Sequence, residues 1–131
     1  MERRAINPWT WQDHYGFNQA IEVSGHQRTL ICSGQTSVDA EGNPVHAGDI
    51  AAQIAQALDN LEAVLTKAGM TLQNVVRLNM YTTDMDACLG SFGVMAERLG
   101  AAGCQQATTL LGVNKLFAPS IMVELEAIAV A

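Results

Sequence analysis

The chain has 131 residues and a mass of 14.0 kDa, which suits a single domain. Charged residues make up 15% of it, against about 25% in a usual globular protein. We therefore expect part of the surface to be buried against another copy. The net charge is −6 and the basic residues are scattered, so we expect no nucleic-acid partner. No apolar run reaches the roughly 18 residues of a membrane span, so we expect no membrane partner.

Metal and cofactor motifs are missing from the sequence. No CxxC, HxH or HExxH pair is formed by Cys32, Cys88, Cys104, His14, His26 and His46. Glycine-rich phosphate loops and the GxSxG motif of serine hydrolases are also absent. The sequence therefore predicts no metal and no cofactor. The N-terminus lacks the apolar segment of a secretory signal, and the cysteines read as reduced thiols, so we expect a cytoplasmic protein.

The N-terminal residues 1–17 are rich in aromatic side chains and are expected to form an arm ahead of the first strand. Apolar and polar side chains alternate over residues 19–23, which predicts a strand. A turn over residues 24–27 then leads to a second strand over 28–32. This pattern predicts a β-hairpin. Residues 39–44 have the composition of a further turn.

A long helix is the clearest predicted element. Asp49 can cap its start, and Gly69 stands where a helix commonly ends. Its apolar stripe consists of Ile50, Ile54, Leu58, Leu61 and Leu65. A strand follows over residues 75–82, and then a second helix whose stripe is Cys88, Phe92, Met95 and Leu99. The last two strands are predicted over 107–113 and 121–130.

The predicted order β-β-α-β-α-β-β indicates one α+β domain that spans residues 1–131. Two amphipathic helices can cover only one face of a sheet of about five strands. The last strand has apolar residues on both of its faces, and such a strand is buried on both sides. We therefore expect another copy of the chain to cover the face that the helices leave open.

Several segments match a known family in order and spacing. They are residues 16–21 (GFNQAI), 32–35 (CSGQ), 53–69, 75–84 and 123–130 (VELEAIAV). On these segments the chain resembles the RidA family, also called YjgF or L-PSP-like, over roughly residues 16–131. The resemblance implies a chorismate-mutase-like α+β fold with one mostly antiparallel sheet and two helices on one face. It also implies a homotrimer with three clefts between its subunits.

The resemblance implies a choice of activities as well. Members of the deaminase type hydrolyse reactive enamines and imines, such as 2-aminoacrylate, to a keto acid and ammonia. Other members are described as translation inhibitors or endoribonucleases, or have no known activity.

The same resemblance points to individual site residues. Glu124 matches the glutamate that is expected to orient the attacking water, and it is our candidate catalytic residue. The candidate ligand-binding residues are Phe17, Ser33, Gly34, Phe92, Thr108 and Leu110. Thr108 stands where the deaminases have an arginine that holds the substrate carboxylate. Leu110 replaces a Cys or Thr of the family, and Phe92 replaces an asparagine.

The acidic residues also have a structural interpretation. Glu124 and Glu126 lie two residues apart on one strand, so they face the same way. Either could form an ion pair with Arg77 or Arg28 rather than handle water. We interpret Glu126 as structural, and Arg77 as an internal ion-pair partner rather than a replacement for the missing arginine.

The remaining candidates also have both a functional and a structural interpretation. Thr108 could hydrogen-bond a neutral ligand or could be an ordinary strand residue. The aromatic residues of the arm could form a ligand lid or could pack on a neighbouring subunit. We expect Trp9 and Trp11 to pack on that subunit and Phe17 to line the pocket. Cys104 is expected to be a buried, inert thiol.

Three functions remain open from the sequence. The first is a cofactor-free hydrolase of small imines or enamines, in which Glu124 positions water and Thr108, Ser33 and Gly34 bind polar atoms. The second is a non-catalytic trimer that binds a small neutral or apolar metabolite between its subunits. The third, a ribonuclease, is opposed by the net charge of −6. For the first two functions the expected partners are further copies of the chain and a small molecule, and no nucleic acid.

Overall fold

A computed structural model describes residues 1–131 of the protein. It contains seven strands and three α-helices. The strands β1 to β7 are Glu2–Ile6, Ala20–Ser24, Thr29–Ile31, Gln35–Thr36, Val75–Thr82, Ala107–Gly112 and Val123–Val130. The helices α1 to α3 are Ile50–Lys67, Met85–Gly90 and Phe92–Ala101. The predicted α+β class is confirmed, with three helices in place of the two expected.

Strand β7 organises the main sheet. The five-stranded sheet has the order β3-β7-β5-β6, and β4 also pairs with β7. Only β5 and β6 run parallel, whereas β7 is antiparallel to each of its partners. The long strands β5 and β7, of eight residues each, therefore form the centre of the sheet, and β6 forms one edge.

The predicted hairpin between β2 and β3 is wrong. Strand β2 pairs with β1 in a separate two-stranded sheet, and β3 pairs with the end of β7. The N-terminal arm, expected to lie apart from the strands, supplies β1 and then a short 3-10 turn over Trp11–Tyr15. The residues of β1 do not show the alternation of polar and apolar side chains that predicts a strand. The three residues of β3 pair with the last three of β7 instead of with β2.

The helix α1 forms as predicted. The Asp49 carboxylate accepts a hydrogen bond from the Ala52 N–H at 3.1 Å, which satisfies one of the free donors at the helix start. The predicted stripe is buried throughout: Ile50, Ile54, Leu58, Leu61 and Leu65. It packs against the core side of β7, where Val123, Leu125 and Ala129 are buried.

The second predicted helix is two helices that meet at Ser91. Its stripe is buried at Cys88, Met95 and Leu99, but Phe92 is only half-buried. Gly90 and Gly93 flank the break, and glycine costs about 1 kcal/mol in a helix interior, which explains why a single helix does not continue through this segment.

The opposite face of the main sheet has no helix on it. Ile31 there is 78% exposed and Leu111 is 50% exposed. We call this the open face; its side chains come from alternate positions of β3, β5, β6 and β7. No helix in the protein has the length and apolar character needed to cross a membrane.

Gln53 fastens the start of β7 to helix α1. Its side chain is fully buried and donates to the carbonyls of His46 at 3.1 Å and Ser120 at 2.7 Å. Its Oε1 accepts from the Met122 N–H at 2.8 Å. The Gln53 amide thus holds two loop segments, the one at His46 and the one over residues 120–122, and the second leads directly into β7 and Glu124.

We expect Gln53→Ala to lower the free energy of unfolding by about 2–4 kcal/mol, because each buried polar group left unpaired costs about 1–3 kcal/mol. Urea denaturation measures the change. Gln56→Ala is the matched control on the same helix, since the Gln56 amide is only half-buried and bonds Asn60 alone at 3.0 Å. The control should cost under about 1 kcal/mol, and equal losses in the two variants would contradict the role of Gln53.

Candidate functional site

The Glu124 carboxylate lies on the open face, directly over the backbone of Gly34. A Cβ built on Gly34 would stand 2.6 Å from the Glu124 carboxyl carbon and 2.9 Å from each of its oxygens. Only glycine therefore leaves room for the carboxylate here. No protein group donates a hydrogen bond to Glu124, and its half-buried oxygens remain available to a water or a ligand. The Ser33 carbonyl, next to Gly34, accepts from the Gln35 side chain at 3.2 Å.

Glu126 is held by its neighbours on β5. The Asn79 amide donates to its Oε1 at 3.1 Å, and the Tyr81 hydroxyl donates to the same oxygen. The expected ion pairs with arginine are not formed. Arg77 donates to the Thr109 hydroxyl at 2.7 Å, and Arg28 donates to the Ala68 carbonyl at 2.6 Å. Both cations therefore satisfy neutral oxygens.

These surroundings shift the pKa values of the two acids in opposite directions. Burial raises the pKa of Glu124, and the nearby Glu126 charge raises it further. The hydrogen bonds from Tyr81 and Asn79 lower the pKa of Glu126. A pair of carboxylates separated in this way supplies one fixed anion and one group able to exchange a proton. Glu124 is the one of the two acids that protonates more readily.

Thr108 and Leu110 lie on the other face of the sheet. Thr108 is paired with Leu78 and Leu110 with Met80, and both partners are fully buried on the side of the helices. Thr109, between them, faces Arg77 on the open face. Residues on successive strand positions point to opposite sides, so Thr108 and Glu124 do not share a cleft within one chain.

Two polar atoms near Thr108 have no partner. The Thr108 hydroxyl oxygen is buried without a hydrogen bond, and so is the Oε1 of Gln106, a residue that is 1% exposed. The Gln106 Nε2 donates to the Gly16 carbonyl at 2.9 Å. Sequence reasoning missed Gln106, because a lone glutamine has no spacing pattern. Together the two atoms offer an acceptor and a hydroxyl to a neutral ligand.

The aromatic candidates surround this end of β6. Phe17 stacks edge-on with Trp11 at a centroid distance of 6.0 Å and lies 6.4 Å from Tyr15. Gly16 lies close to the Ala96 side chain. Ala96 follows Phe92 by one turn of α3. Phe92 and Leu110 both pack partly against the core.

The other aromatic and thiol predictions have mixed outcomes. Trp9 and Trp11 are more than half exposed in the chain, and their packing on a neighbouring subunit stays a prediction. Cys104 is half-buried, and burial raises the pKa of its thiol to about 12, which agrees with an inert role.

The candidate residues thus fall into two groups. Glu124, Ser33 and Gly34 lie where β4 meets β7, whereas Thr108, Leu110, Phe17 and Phe92 lie at the edge strand β6. Strand β5 lies between the two groups, and neighbouring strands are about 4.8 Å apart. The two groups also lie on opposite faces of the sheet. A single chain therefore does not bring the two groups to one cleft.

Comparison with known proteins gives these groups a context. The family described as "Endoribonuclease L-PSP" matches residues 12–131. A crystal structure of a Yersinia pestis protein of unknown function from the conserved Rid family has a TM-score of 0.86 and 35% identity, over 100% of both chains. Protein DfrA of Myxococcus xanthus is 33% identical over 100% of this chain and 98% of its own. A mouse protein named 2-iminobutanoate/2-iminopropanoate deaminase is 33% identical over 62% of this chain and 55% of its own.

Gly34→Ala tests the contact between Gly34 and Glu124. The new Cβ would overlap the carboxyl group, so we expect the variant to lose about 1–3 kcal/mol of stability and to displace Glu124. Thermal unfolding and the NMR titration of Glu124 measure the two effects. In the control, Gly100→Ala, no atom lies within 4 Å of the new Cβ, and the helix should gain up to about 1 kcal/mol. A Gly34 variant that titrates like the wild type would contradict the geometry.

The pH dependence of stability tests the split between the two acids. Because the pKa of Glu124 is raised from 4.5 in the folded state, its stabilising effect is greatest when protonated and is lost as the pH rises through the folded-state value. Glu124→Gln should therefore stabilise the protein at about pH 7 but not at about pH 3.

Glu126→Gln should do the reverse. The pKa of Glu126 is lowered, so its contribution is present above the unfolded value and disappears as the pH falls through the folded value. This variant should be less stable than the wild type at neutral pH and similar to it in strong acid. Urea denaturation across the pH range measures both variants, and equal signs at neutral pH would refute the assignment.

Proposed function

Because the chain belongs to the Rid/YjgF/L-PSP family, we propose that it hydrolyses small reactive imines or enamines to a carbonyl compound and ammonia, in a cleft between copies of a homotrimer. One observation carries the proposal: a half-buried carboxylate of raised pKa, Glu124, lies over a glycine backbone with no hydrogen bond from the protein. Such a group can hold a water molecule and accept its proton.

The chemistry requires only this chain's groups and water. An enamine first takes a proton from water on carbon to become the iminium ion, whose carbon is electrophilic. Glu124 takes a proton from the attacking water as the oxygen bonds to that carbon. The protonated Glu124 then returns its proton to nitrogen. As the carbon–nitrogen bond breaks and ammonia leaves, Glu124 takes the remaining hydroxyl proton, so that a carbonyl group forms, and it then releases this proton to water. Glu126 stays charged throughout, since Tyr81 and Asn79 stabilise its anion.

The substrate at this cleft is proposed to be neutral where it meets β6. Thr108 supplies a hydroxyl where the family's deaminases have a cation, and Gln106 adds a neutral acceptor. A carboxylate that enters without a cation loses hydration worth several kcal/mol, whereas one hydrogen bond to a charged group returns only about 1.5–3 kcal/mol. A keto or imino acid would therefore bind less well here than a neutral imine.

The separation of the two groups supports the proposed assembly of several copies, and the family suggests three. Glu124 of one copy would face Thr108 and Phe92 of the next, and the open face would be covered by the same assembly. The low charged fraction of 15% supports such burial. We place the protein in the cytoplasm as part of this proposal, because its three cysteines are free.

A second candidate is a trimer that binds a small apolar metabolite without turnover. Phe17, Phe92 and Leu110 favour it, because they make the β6 side of the cleft apolar. The ribonuclease activity in the family's description is opposed by the net charge of −6 and by basic residues that are spread over the chain.

Ammonia release beyond the spontaneous rate tests the main proposal. We expect Glu124→Gln to slow the hydrolysis of a neutral imine at least about 100-fold, the usual size of a general-base effect. Thr108→Val should slow it about tenfold without loss of stability, since the hydroxyl has no partner to lose. Thr109→Val, on the open face, is the control and should leave the rate unchanged. A Glu124→Gln variant as fast as the wild type would favour the binding protein or another base.

Mixed assemblies test whether each cleft takes residues from two copies. Light scattering should first give about 42 kDa, three times the chain mass of 14.0 kDa. Glu124→Gln and Thr108→Val chains are then unfolded, mixed equally and refolded together. If neighbouring copies supply the two groups, about a quarter of the clefts regain both wild-type residues, and the rate should exceed the mean of the parents severalfold. A rate equal to that mean would place the site within one chain.

A further inference from the structure

Phe17 lies in a part of the chain that belongs to no helix or strand, between the 3-10 turn that ends at Tyr15 and the strand β2. The residues on both sides of it are bonded to the same residue, Gln106. The Gln106 Nε2 donates to the Gly16 carbonyl at 2.9 Å, and the Asn18 N–H donates to the Gln106 carbonyl at 2.9 Å. Gln106 therefore anchors the chain immediately before and immediately after Phe17.

These anchors are made within a single chain. Gln106 is 1% exposed there, so a neighbouring copy cannot reach its side chain or take over its hydrogen bonds. Asn18 also forms a β-bridge with Ala107 at the start of β6, which adds a further backbone link to the edge strand. A change of the Gln106 side chain thus removes one anchor of Phe17 and leaves those that the backbone makes.

Gly16 fixes the direction of the carbonyl that Gln106 holds. Its φ of 71° lies in the left-handed region, and a Cβ there would stand 3.3 Å from the Ala96 side chain. If the Gln106 amide were turned over, its oxygen would face the Gly16 oxygen, and two acceptors repel each other. The amide therefore has one favoured orientation, in which its Oε1 has no partner in the chain.

A buried acceptor without a partner lowers stability, so glutamine is a costly residue at this position. An apolar side chain of similar length, such as methionine, has no such oxygen to bury. What glutamine adds over methionine here is the hydrogen bond to Gly16, next to Phe17.

The ring that is held in this way belongs to an aromatic cluster. Phe17 is half-buried, and its centroid lies 6.0 Å from that of Trp11, edge-on, and 6.4 Å from that of Tyr15. Rings in such clusters favour edge-to-face and offset contacts with a further ring. Thr108 follows Gln106 by two residues and faces the same side of the sheet. Gln106 thus links the aromatic cluster to the hydroxyl that we assign to the ligand.

We propose that Gln106 is a positioning residue, which holds the Phe17 ring in place to receive an aromatic substituent of the ligand. The cleft then prefers neutral carbonyl compounds and imines that carry a phenyl-sized group. This inference rests on the proposed function, which places Phe17 in the cleft. Phe17 contacts the ligand, and Gln106 acts through Phe17.

The test uses acetone and acetophenone, two neutral ketones, as probes in NMR titrations of the full-length, assembled protein. Ketones are carbonyl products of the proposed reaction. Neither probe has a hydrogen-bond donor, so the unpartnered Gln106 Oε1 contributes nothing to the binding of either. We expect the wild type to bind acetophenone at least about tenfold more tightly than acetone, because the phenyl group is buried against Phe17. Equal affinities would overturn the proposal.

A double-mutant cycle assigns this preference to Gln106. Gln106→Met should weaken acetophenone about tenfold and acetone less than about twofold, and Phe17→Ala should weaken acetophenone at least as much. Once Phe17 is alanine, Gln106→Met should have no further effect, since it acts through the ring. Gln105→Met, at the neighbouring exposed glutamine, is the matched control and should bind both ketones as the wild type does.

The Gln106→Met variant is expected to fold, because Gly16 is exposed in the chain and water can bond its carbonyl. Circular dichroism checks this. Gln106→Asn, whose amide is one methylene too short to reach Gly16, takes its place if it does not fold. In the spectra of the folded variant, the ring signals of Phe17 and Trp11 should shift, whereas they should stay in place in Gln105→Met. Unshifted rings would contradict the positioning role.

A purely structural Gln106 predicts a different pattern. Gln106→Met would then weaken both ketones equally, or its effect would add to that of Phe17→Ala, and either result would overturn the proposal. The titrations need no turnover. The expected ketone pattern in a protein that releases no ammonia from imines would support the role of Gln106 and refute the proposed hydrolysis. Hydrolysis that depends on Glu124 without this pattern would refute the role of Gln106 alone.

Discussion

The register of β7 is the constraint on which the rest of the structure depends. Every second residue of this strand, from Val123 to Ala129, is buried beneath α1, and the residues between them lie on the open face. A slip of one residue would bury Glu124 and Glu126 in the apolar core and expose four buried side chains. The cost of burying two carboxylates makes such a slip prohibitive. The placement of the acids is therefore a consequence of the core.

The different chemistry of the two acids comes from the strands beside them. Glu126 is opposite Asn79, whose amide reaches it, and Tyr81 reaches it diagonally. Glu124 is directly opposite Tyr81, but the Tyr81 hydroxyl already donates to Glu126. On its other side, Glu124 contacts the backbone of Gly34, which offers it no hydrogen bond. Neighbouring positions on one strand thus acquire opposite pKa shifts, because hydrogen-bond donors reach only one of them.

Sequence periodicity predicted those elements that carry a strong one-sided pattern. The stripe of α1 and the alternation of β5 and β7 are set by burial, which the sequence records directly. The β2–β3 hairpin was wrong because strand pairing depends on distant partners: β3 finds its partner about 100 residues later in the chain, at Ile128 to Val130. The break at Ser91 depends on how α3 docks, and the two flanking glycines gave only a partial sign of it.

The candidate site was predictable to a smaller extent. The sequence and the family resemblance pointed to Glu124 and to Thr108, but the faces on which they lie follow from the parallel pairing of β5 with β6, which no local pattern reveals. The same pairing places Thr109, not Thr108, beside Arg77. Gln106 could not be singled out, since its importance lies in an acceptor that folding buries and leaves unpaired.

The position of Arg77 has a consequence for the chemistry of the whole sheet. A cation on β6 at position 108 would face the side of the helices, whereas Arg77 faces the open side, one strand further in. A positive charge at position 108 and one at Arg77 therefore lie on different faces of the sheet and at different distances from Glu124. The one cannot replace the other. In the proposed cleft, the β6 side therefore offers neutral hydrogen-bonding groups and apolar contact to a ligand. The Arg77 and Glu126 side chains both lie on the open face, and they form no ion pair there.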